Sequence, residues 1–368
     1  MAHLINDLSR RSPEASSGMR GGASSVPENL MVSIVIPMRN ESEHIRGCLD
    51  SLLRQTYEAN SYEVIVVDGR SSDGSSQIVR SMQSNHPNLL LIDNPSGITP
   101  VGMNLGILKA TNKIIVIAGA HAIYSSEFLR NCVEKLRETG ADVVGGPITT
   151  IPADYSLSAR LAAAVLSSPF GVGNSHFRTS LKEGYVDTVP FGAFRVDVLR
   201  KVGLFNEKLL RNQDNDLSAR IRSAGGKIYF SPTISAHYIS ARSVGELLRQ
   251  TYKKAQWHLF TLRQNISALS LRHLTPALFL IFLMCLTAAA INGFWARIAL
   301  LSVLLTYFIV GFSYSLRERA QIGPDVTLFL PLACLLFHFS YGIGTLVGFR
   351  YLVGAAPTKP IRSGLPIQ

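Results

Sequence analysis

The sequence predicts an α/β protein: a Rossmann-like, mixed but mostly parallel sheet, followed by C-terminal transmembrane α-helices. Three observations carry that reading. From Met31 onward, short β-branched runs alternate with amphipathic stretches. In the last quarter, residues 274–291, 298–316 and 326–349 contain no Asp, Glu, Lys or Arg. Between these regions lies an acidic group, Gln213-Asp214-Asn215-Asp216, opening a helical stretch.

The elements follow in order. Residues 32–37 are almost wholly apolar and read as a buried strand. Residues 41–55 read as a helix with Ile45, Leu49, Leu52 and Leu53 on one side. Strands at 63–68, 89–93 and 114–118 continue the series, with helices at 75–85 and 101–110 between them. Near-continuous β-branched runs separated by helices mean parallel strands covered on both faces. Such sheets bind ligands beyond the carboxyl ends of their strands, near a switch in strand order. The residues there are Pro37-Met38-Arg39-Asn40-Glu41, Asp68-Gly69-Arg70-Ser71-Ser72-Asp73-Gly74 and Gly119-Ala120-His121. No G-x-G-x-x-G follows the first strand and no G-x-x-x-x-G-K-[ST] occurs. A dinucleotide oxidoreductase and a P-loop NTPase are thereby disfavoured.

The 368 residues, 47% of them hydrophobic, suffice for a soluble domain with a core plus membrane segments. The net charge of +11 points to an anionic membrane surface or phosphate-bearing ligands. Aromatic-interleaved basic repeats are absent, so no nucleic-acid partner is expected. Cys48, Cys132, Cys285 and Cys334 form no CxxC pair, which fits neither a disulfide framework nor a zinc site and suggests a reducing compartment. Residues 1–30 are rich in Ser, Gly, Arg and Pro, without a signal-peptide-like apolar run, and are expected to be a tail on the cytoplasmic side.

The resulting division is a tail at 1–30, a soluble domain at 31–240, an amphipathic interfacial helix within 241–272, three membrane spans within 273–350 and a tail at 351–368. Each apolar stretch is near the roughly 20 residues needed to cross a bilayer core. Arg317-Glu318-Arg319 is expected as a cytoplasmic connection and residues 292–297 as a short external turn. Arg350, Lys359 and Arg362 conflict in part with that orientation. Residues 244–262 place Leu248, Tyr252, Ala255, Leu259 and Leu262 at helical spacing among Arg249, Lys253, Lys254 and Arg263. Such a helix suits a membrane interface, or equally the surface of the core.

Several segments also resemble a known family. Val32-Ser33-Ile34-Val35-Ile36-Pro37-Met38-Arg39-Asn40-Glu41 resembles the opening strand of family 2 glycosyltransferases with the GT-A fold. Val66-Val67-Asp68-Gly69-Arg70-Ser71-Ser72-Asp73-Gly74 resembles their second-strand signature. Asn94 with Gly102-Met103-Asn104-Leu105-Gly106 resembles the next loop and helix. Phe191-Gly192-Ala193-Phe194-Arg195, Val202-Gly203-Leu204-Phe205-Asn206-Glu207 and Gln213-Asp214 resemble the segments leading to the catalytic helix. The resemblance spans residues 31–257.

The resemblance implies roles, each beside a structural alternative. Pro37, Arg39, Glu41, Asp68, Asp73 and Asn104 would line a nucleotide-sugar site. Asp68 is otherwise a turn residue, Asp73 a helix cap and Glu41 a first-turn charge. His121 stands where the family places the last carboxylate of an Asp-x-Asp metal motif, and Gly119 replaces its first. His121 would hold a divalent cation, Mn2+ or Mg2+, or only bond phosphate. Asp214 would be the general base; alternatively, Asp214 and Asp216 are first-turn acids of a helix over 217–224. Gln213 and Trp257 fall on the acceptor side. Lys253 and Gln256 break the Gln-x-x-Arg-Trp pattern of polymerising relatives, which implies a single sugar addition.

The expected activity is thus inverting transfer of one β-linked sugar, glucose from UDP-glucose, to a lipid-pyrophosphate-linked saccharide in exopolysaccharide assembly. The expected partners are a UDP-sugar, the lipid-linked acceptor, membrane lipids and other polysaccharide assembly proteins, at a multi-pass location in a bacterial inner membrane. The alternative is a non-catalytic scaffold of such an assembly, because Gly119 and Gln213 each replace an acid.

Overall fold

The computed structural model describes residues 30–268 and 273–354. Its first half alternates strand and helix: β1 (Val32–Met38), α1 (Ile45–Leu53), β2 (Tyr62–Asp68), α2 (Ser75–Gln83), β3 (Leu89–Asp93), α3 (Thr99–Lys109) and β4 (Ile114–Ile117). The side-chain period of two explains why these strands are apolar throughout. On β1, Ile34 and Ile36 enter one core while Val35 enters the other. Val64 and Val66 oppose Ile65 and Val67 on β2 in the same way, and Ile114 and Val116 oppose Ile115 and Ile117 on β4.

α1 begins at Ile45, four residues later than the sequence predicts. The N–H groups of Glu41 and Ser42 are taken by Ser75 Oγ at 2.8 Å and by the Asp73 carboxylate at 2.9 Å. These bonds hold residues 41–44 as turns at the loop after β2. α3 packs closely on the sheet at Gly106, where an added Cβ would lie 2.3 Å from Val35 Cγ1. Gly106→Ala is expected to cost about 1–3 kcal/mol by overpacking, read as a lowered Tm.

The second half adds β5 (Ala122–Tyr124), α4 (Phe128–Thr139), β6 (Val143–Gly145), β7 (Ile148–Ile151), α5 (Leu157–Ser167), α6 (Pro169–Val172), α7 (His176–Thr179), β8 (Gly184–Tyr185), β9 (Ala193–Arg195), α8 (Val196–Val202), α9 (Gln213–Ser223), β10 (Ile228–Phe230) and β11 (Ala236–Ile239). The main sheet has the order β3-β2-β1-β4-β9-β6-β10-β8, and a small sheet has the order β5-β11-β7. β9 runs antiparallel to both β4 and β6, and β8 antiparallel to β10. The sheet is therefore mixed but mostly parallel, as the sequence predicts. The chain moves outward from β1 to β3, then crosses back to β4, so the switch in strand order lies at β1 and β4.

Four long helices follow: α10 (Val244–Gln264), α11 (Thr275–Ala290), α12 (Phe294–Ile322) and α13 (Pro324–Gly348). The three expected spans need correction. α12 and α13 are long and apolar enough to cross a membrane. At 16 residues α11 extends only about 24 Å, short of a hydrocarbon core of about 30 Å. Arg317-Glu318-Arg319 lies inside α12 and is not a connection. α12 continues to Ile322, where Gly323 at φ +86° ends it and Pro324 opens α13.

α10 does not present a free apolar face. A Cβ at Gly344 or Gly348 of α13 would lie 2.6 Å from Tyr252 O or Gln256 O of α10. Ser340 Oγ also donates to Leu248 O at 2.6 Å. His338 of α13 meets Tyr307 OH at 2.9 Å and Gly171 O at 2.9 Å. The bundle docks on the sheet domain through α5, where Arg160 holds both Asp325 oxygens, at 2.6 and 2.9 Å. Its outer surface stays apolar and exposed at Phe282, Met284, Leu301 and Leu305. Residues 1–29 and 355–368, which make up nearly all of the two expected tails, lie outside the described residues.

Candidate active site

A cleft of about 340 Å³ opens at the carboxyl ends of β1, β2 and β4. Pro37, Arg39 and Glu41 reach it from β1, Gly69 from β2, and Gly119 and His121 from β4. Phe191, Gln213 and Asp214 close it from the other side. Asp214 and His121, far apart in sequence, thus border one cleft.

The two acids of α9 separate by environment. Asp216 is 2% exposed and accepts from Arg220 Nε at 2.9 Å and Asn265 Nδ2 at 3.0 Å. Arg220 also donates to Val202 O, Gly203 O and Leu204 O, tying α9 to the segment after α8. Asp214 is solvent-exposed at the cleft. A carboxylate open to a cleft can take a proton; one that is itself buried and held by an arginine is structural. Beside it, Gln213 Oε1 is buried with no hydrogen-bond partner, an acceptor available to a ligand hydroxyl.

His121 is oriented from two sides. Its Nδ1 meets Glu41 Oε1 at 3.1 Å, and its ring meets Tyr238 edge-on at 5.1 Å. That leaves Nε2 for a ligand, the arrangement in which a carboxylate sets a metal-binding histidine's tautomer. Position 119 explains the absent aspartate. A Cβ there would lie 2.7 Å from the Phe191 ring, which lines the cleft at φ +46°. Gly119→Asp is therefore expected to displace Phe191 and to lower both stability and activity; higher activity at unchanged Tm would contradict this packing.

The other residues named from sequence have separate placements. Asp68 does not line the cleft, although Val67 and Gly69 do. Its carboxylate accepts from Ser71 Oγ and Ser76 Oγ, each at 2.6 Å, and braces the loop. Asp73 accepts from Ser42 N and from Ser75; slight burial opposes ionisation, but these bonds outweigh it and hold its carboxyl below the usual range. Asn104 is buried and clamps Phe205 by accepting from its N–H at 2.9 Å and donating to its carbonyl at 3.0 Å. Trp257 packs in a small core with Leu209 and Phe260. Arg39 lines the cleft and donates to Gly97 O at 3.1 Å.

The strained backbone gathers here too. Among the described residues, Asn40, Arg70, Phe191 and Asn212 are the non-glycine positions with positive φ. Asn40 and Arg70 lie in the loops after β1 and β2, and Asn212 immediately precedes Gln213. Such conformations cost about 1–3 kcal/mol each and concentrate at functional sites. Arg178, Arg211 and Tyr238 also stand near the cleft and were not read from sequence, and Lys254 was read only as a cation of the interfacial helix. Only Arg211, three residues before Asp214, was within reach of a local argument; the others arrive through tertiary contacts.

Comparison with known proteins agrees with this geometry. Residues 33–203 match the family model Glycosyl transferase family 2. The chain is 27% identical to the dolichyl N-acetyl-alpha-D-glucosaminyl phosphate 3-beta-D-2,3-diacetamido-2,3-dideoxy-beta-D-glucuronosyltransferase of Methanococcus voltae, over 84% of this chain and 95% of that one. It is 25% identical to the succinoglycan biosynthesis protein ExoA of Rhizobium meliloti, over 86% and 95%. Its fold is similar to that of the mannosyltransferase PcManGT from Pyrobaculum calidifontis, solved with GDP-Man and Mn2+, at a TM-score of 0.59 and 20% identity, over 84% of this chain and 88% of that chain. That last likeness bears on the fold alone. The family match ends before Asp214, which the cleft alone brings beside the matched residues. Fold, cleft and relatives agree: residues 33–203 form a family 2 glycosyltransferase domain of GT-A type, and the chain is a glycosyltransferase.

Proposed function

We propose that the chain is an inverting glycosyltransferase that adds one β-linked sugar, glucose from UDP-glucose, to a lipid-pyrophosphate-linked saccharide in exopolysaccharide assembly of the succinoglycan type. The observation that carries this reading is the shared cleft of His121 and Asp214. The donor diphosphate lies toward His121 and the acceptor hydroxyl toward Asp214. As the hydroxyl oxygen bonds to the anomeric carbon, its proton passes to the Asp214 carboxylate. The bond from that carbon to the diphosphate breaks, and the nucleoside diphosphate leaves with the electron pair. Attack opposite the leaving group inverts the centre. Gln213 Oε1 accepts a sugar hydroxyl and fixes the ring.

The residues fit a divalent cation held mainly by its substrate. Among the described residues no group of three His, Cys, Asp or Glu side chains gathers to hold a metal. His121, set by Glu41, would supply one ligand, and Mg2+ or Mn2+ commonly takes the rest from phosphates and water. When bound, the cation offsets charge developing on the leaving diphosphate. The name of the Methanococcus relative describes a β linkage made on a dolichyl-linked sugar phosphate, which supports a lipid-borne acceptor. The exposed apolar surface of α12 and α13 supports attachment to a membrane, placed here at the cytoplasmic face of a bacterial inner membrane.

The test is a donor panel. Membranes containing the chain receive lipid-linked saccharides and one nucleotide sugar at a time. UDP-glucose is expected to be consumed, with UDP release matching a β-linked product. Consumption of no nucleotide sugar would end this reading. Chelation is expected to abolish turnover and Mn2+ to restore it, with His121→Ala needing about tenfold more Mn2+. An unchanged Mn2+ requirement in His121→Ala would remove the metal role.

A further inference from the structure

Three cationic side chains, Arg178, Arg211 and Lys254, gather on the side of the site where Asp214 is the carboxylate that acts on Lys254. On α7, Arg178 Nη1 donates to Thr150 Oγ1 at 2.7 Å, and its guanidinium lies 5.4 Å from the centre of the Tyr238 ring. Tyr238 in turn meets His121 edge-on at the catalytic cleft. Arg211 enters α9 three residues before Asp214, and Lys254 projects from α10 toward Asp214, Arg178 and Arg211. None of the three is ion-paired among the described residues.

Lys254 is exposed to solvent, with protein atoms packed around its ammonium group. Loss of bulk water lowers its pKa; the Asp214 charge raises it and the two arginines lower it. Asp214 offsets only one of these three charges, so the group keeps a net positive charge that a further anion would balance. Guanidinium forks in such a place match phosphate oxygens, and an ammonium adds a point charge. Arg178 also lines a second cavity, of about 640 Å³, shared with Glu318, Gln321 and Ile322 at the end of α12. The row from Arg178 through Tyr238 to His121 thus connects the apolar bundle to the catalytic cleft.

We propose that Arg178, Arg211 and Lys254 form a binding site for the phosphate groups of a lipid-borne acceptor, which enters along the second cavity. The proposal rests on the reading of this chain as a transferase to lipid-linked saccharides. Diphosphate also occurs on the donor, but Arg211 and Lys254 stand by Asp214 and Arg178 opens onto the second cavity beside α12, which favours the lipid.

Binding without turnover tests it. The purified full chain in detergent is titrated with farnesyl diphosphate, with farnesol, and with UDP plus Mn2+. In Arg178→Gln/Lys254→Gln and in Arg211→Gln, farnesyl diphosphate affinity is expected to fall at least about tenfold, while farnesol and UDP affinities hold within about twofold. Lys254→Arg is expected to retain farnesyl diphosphate binding. A loss confined to UDP would assign the cations to the donor and overturn the proposal. Unchanged farnesyl diphosphate binding, or a loss in Lys254→Arg equal to that in the neutral variants, would overturn it as well. Asp214→Asn is expected to bind farnesyl diphosphate like the wild type. A chain that binds this probe but transfers no sugar therefore contradicts the proposed function and not this site.

Discussion

Asp214→Asn is expected to lower kcat by about 10²–10⁴-fold while leaving the KM for the nucleotide sugar nearly unchanged. The amide keeps the size and hydrogen-bonding reach of the side chain but cannot accept the acceptor hydroxyl's proton. Asp214 is exposed at the cleft, so the change leaves no buried charge unpaired and Tm should hold. Asp216→Asn separates the two acids. Its carboxylate is buried against Arg220 and Asn265, so the loss should appear as instability, with activity per folded molecule largely kept. Initial rates of nucleotide release for both variants, with Tm measured alongside, check this. Equal turnover in Asp214→Asn and wild type would remove the assigned base.

Arg220→Ala is expected to destabilise the chain by about 3 kcal/mol. The change deletes the bond to Asp216 and leaves the carbonyls of Val202, Gly203 and Leu204 without this donor. Removing one partner of a buried ion pair costs about 3–5 kcal/mol, and the partial exposure of the guanidinium places the cost at the lower end. Tm should fall by roughly 6–12 °C. Arg222→Ala on the same helix removes an exposed side chain with one long contact, 3.4 Å to Ser267 O, and should shift Tm by only about 1–2 °C. Matching losses in the two variants would show that the Arg220 network does not hold α9 in place.

The parts legible in sequence were those that local chemistry determines. β1, β2 and β4 are apolar on both faces because both faces are covered, and the run of Val and Ile says so without coordinates. The loops after those strands were legible as cleft walls for the same topological reason. The choice between Asp214 and Asp216 was not: both occupy the first turn of α9, and only Arg220 and Asn265 distinguish the buried acid from the open one. Asp68 carried a ligand role by resemblance, yet its oxygens are taken by Ser71 and Ser76, partners three and eight residues onward. Gly119 looked like a lost acid, and only the Phe191 ring shows why a side chain does not fit there. The helices were found by composition, but their ends were not. Charge-free windows stop at Arg317, whereas backbone bonding carries α12 to Gly323, where a glycine can adopt positive φ.

The claim on which the account turns is that a single cleft holds the donor between His121 and Asp214. Crystals of the full chain with Mn2+ and UDP, measured at the manganese edge, test it most directly. The account predicts a manganese peak within coordinating distance of His121 Nε2, with the diphosphate reaching toward Asp214. A peak elsewhere, or UDP seated where Asp214 is out of reach of its diphosphate, would contradict it.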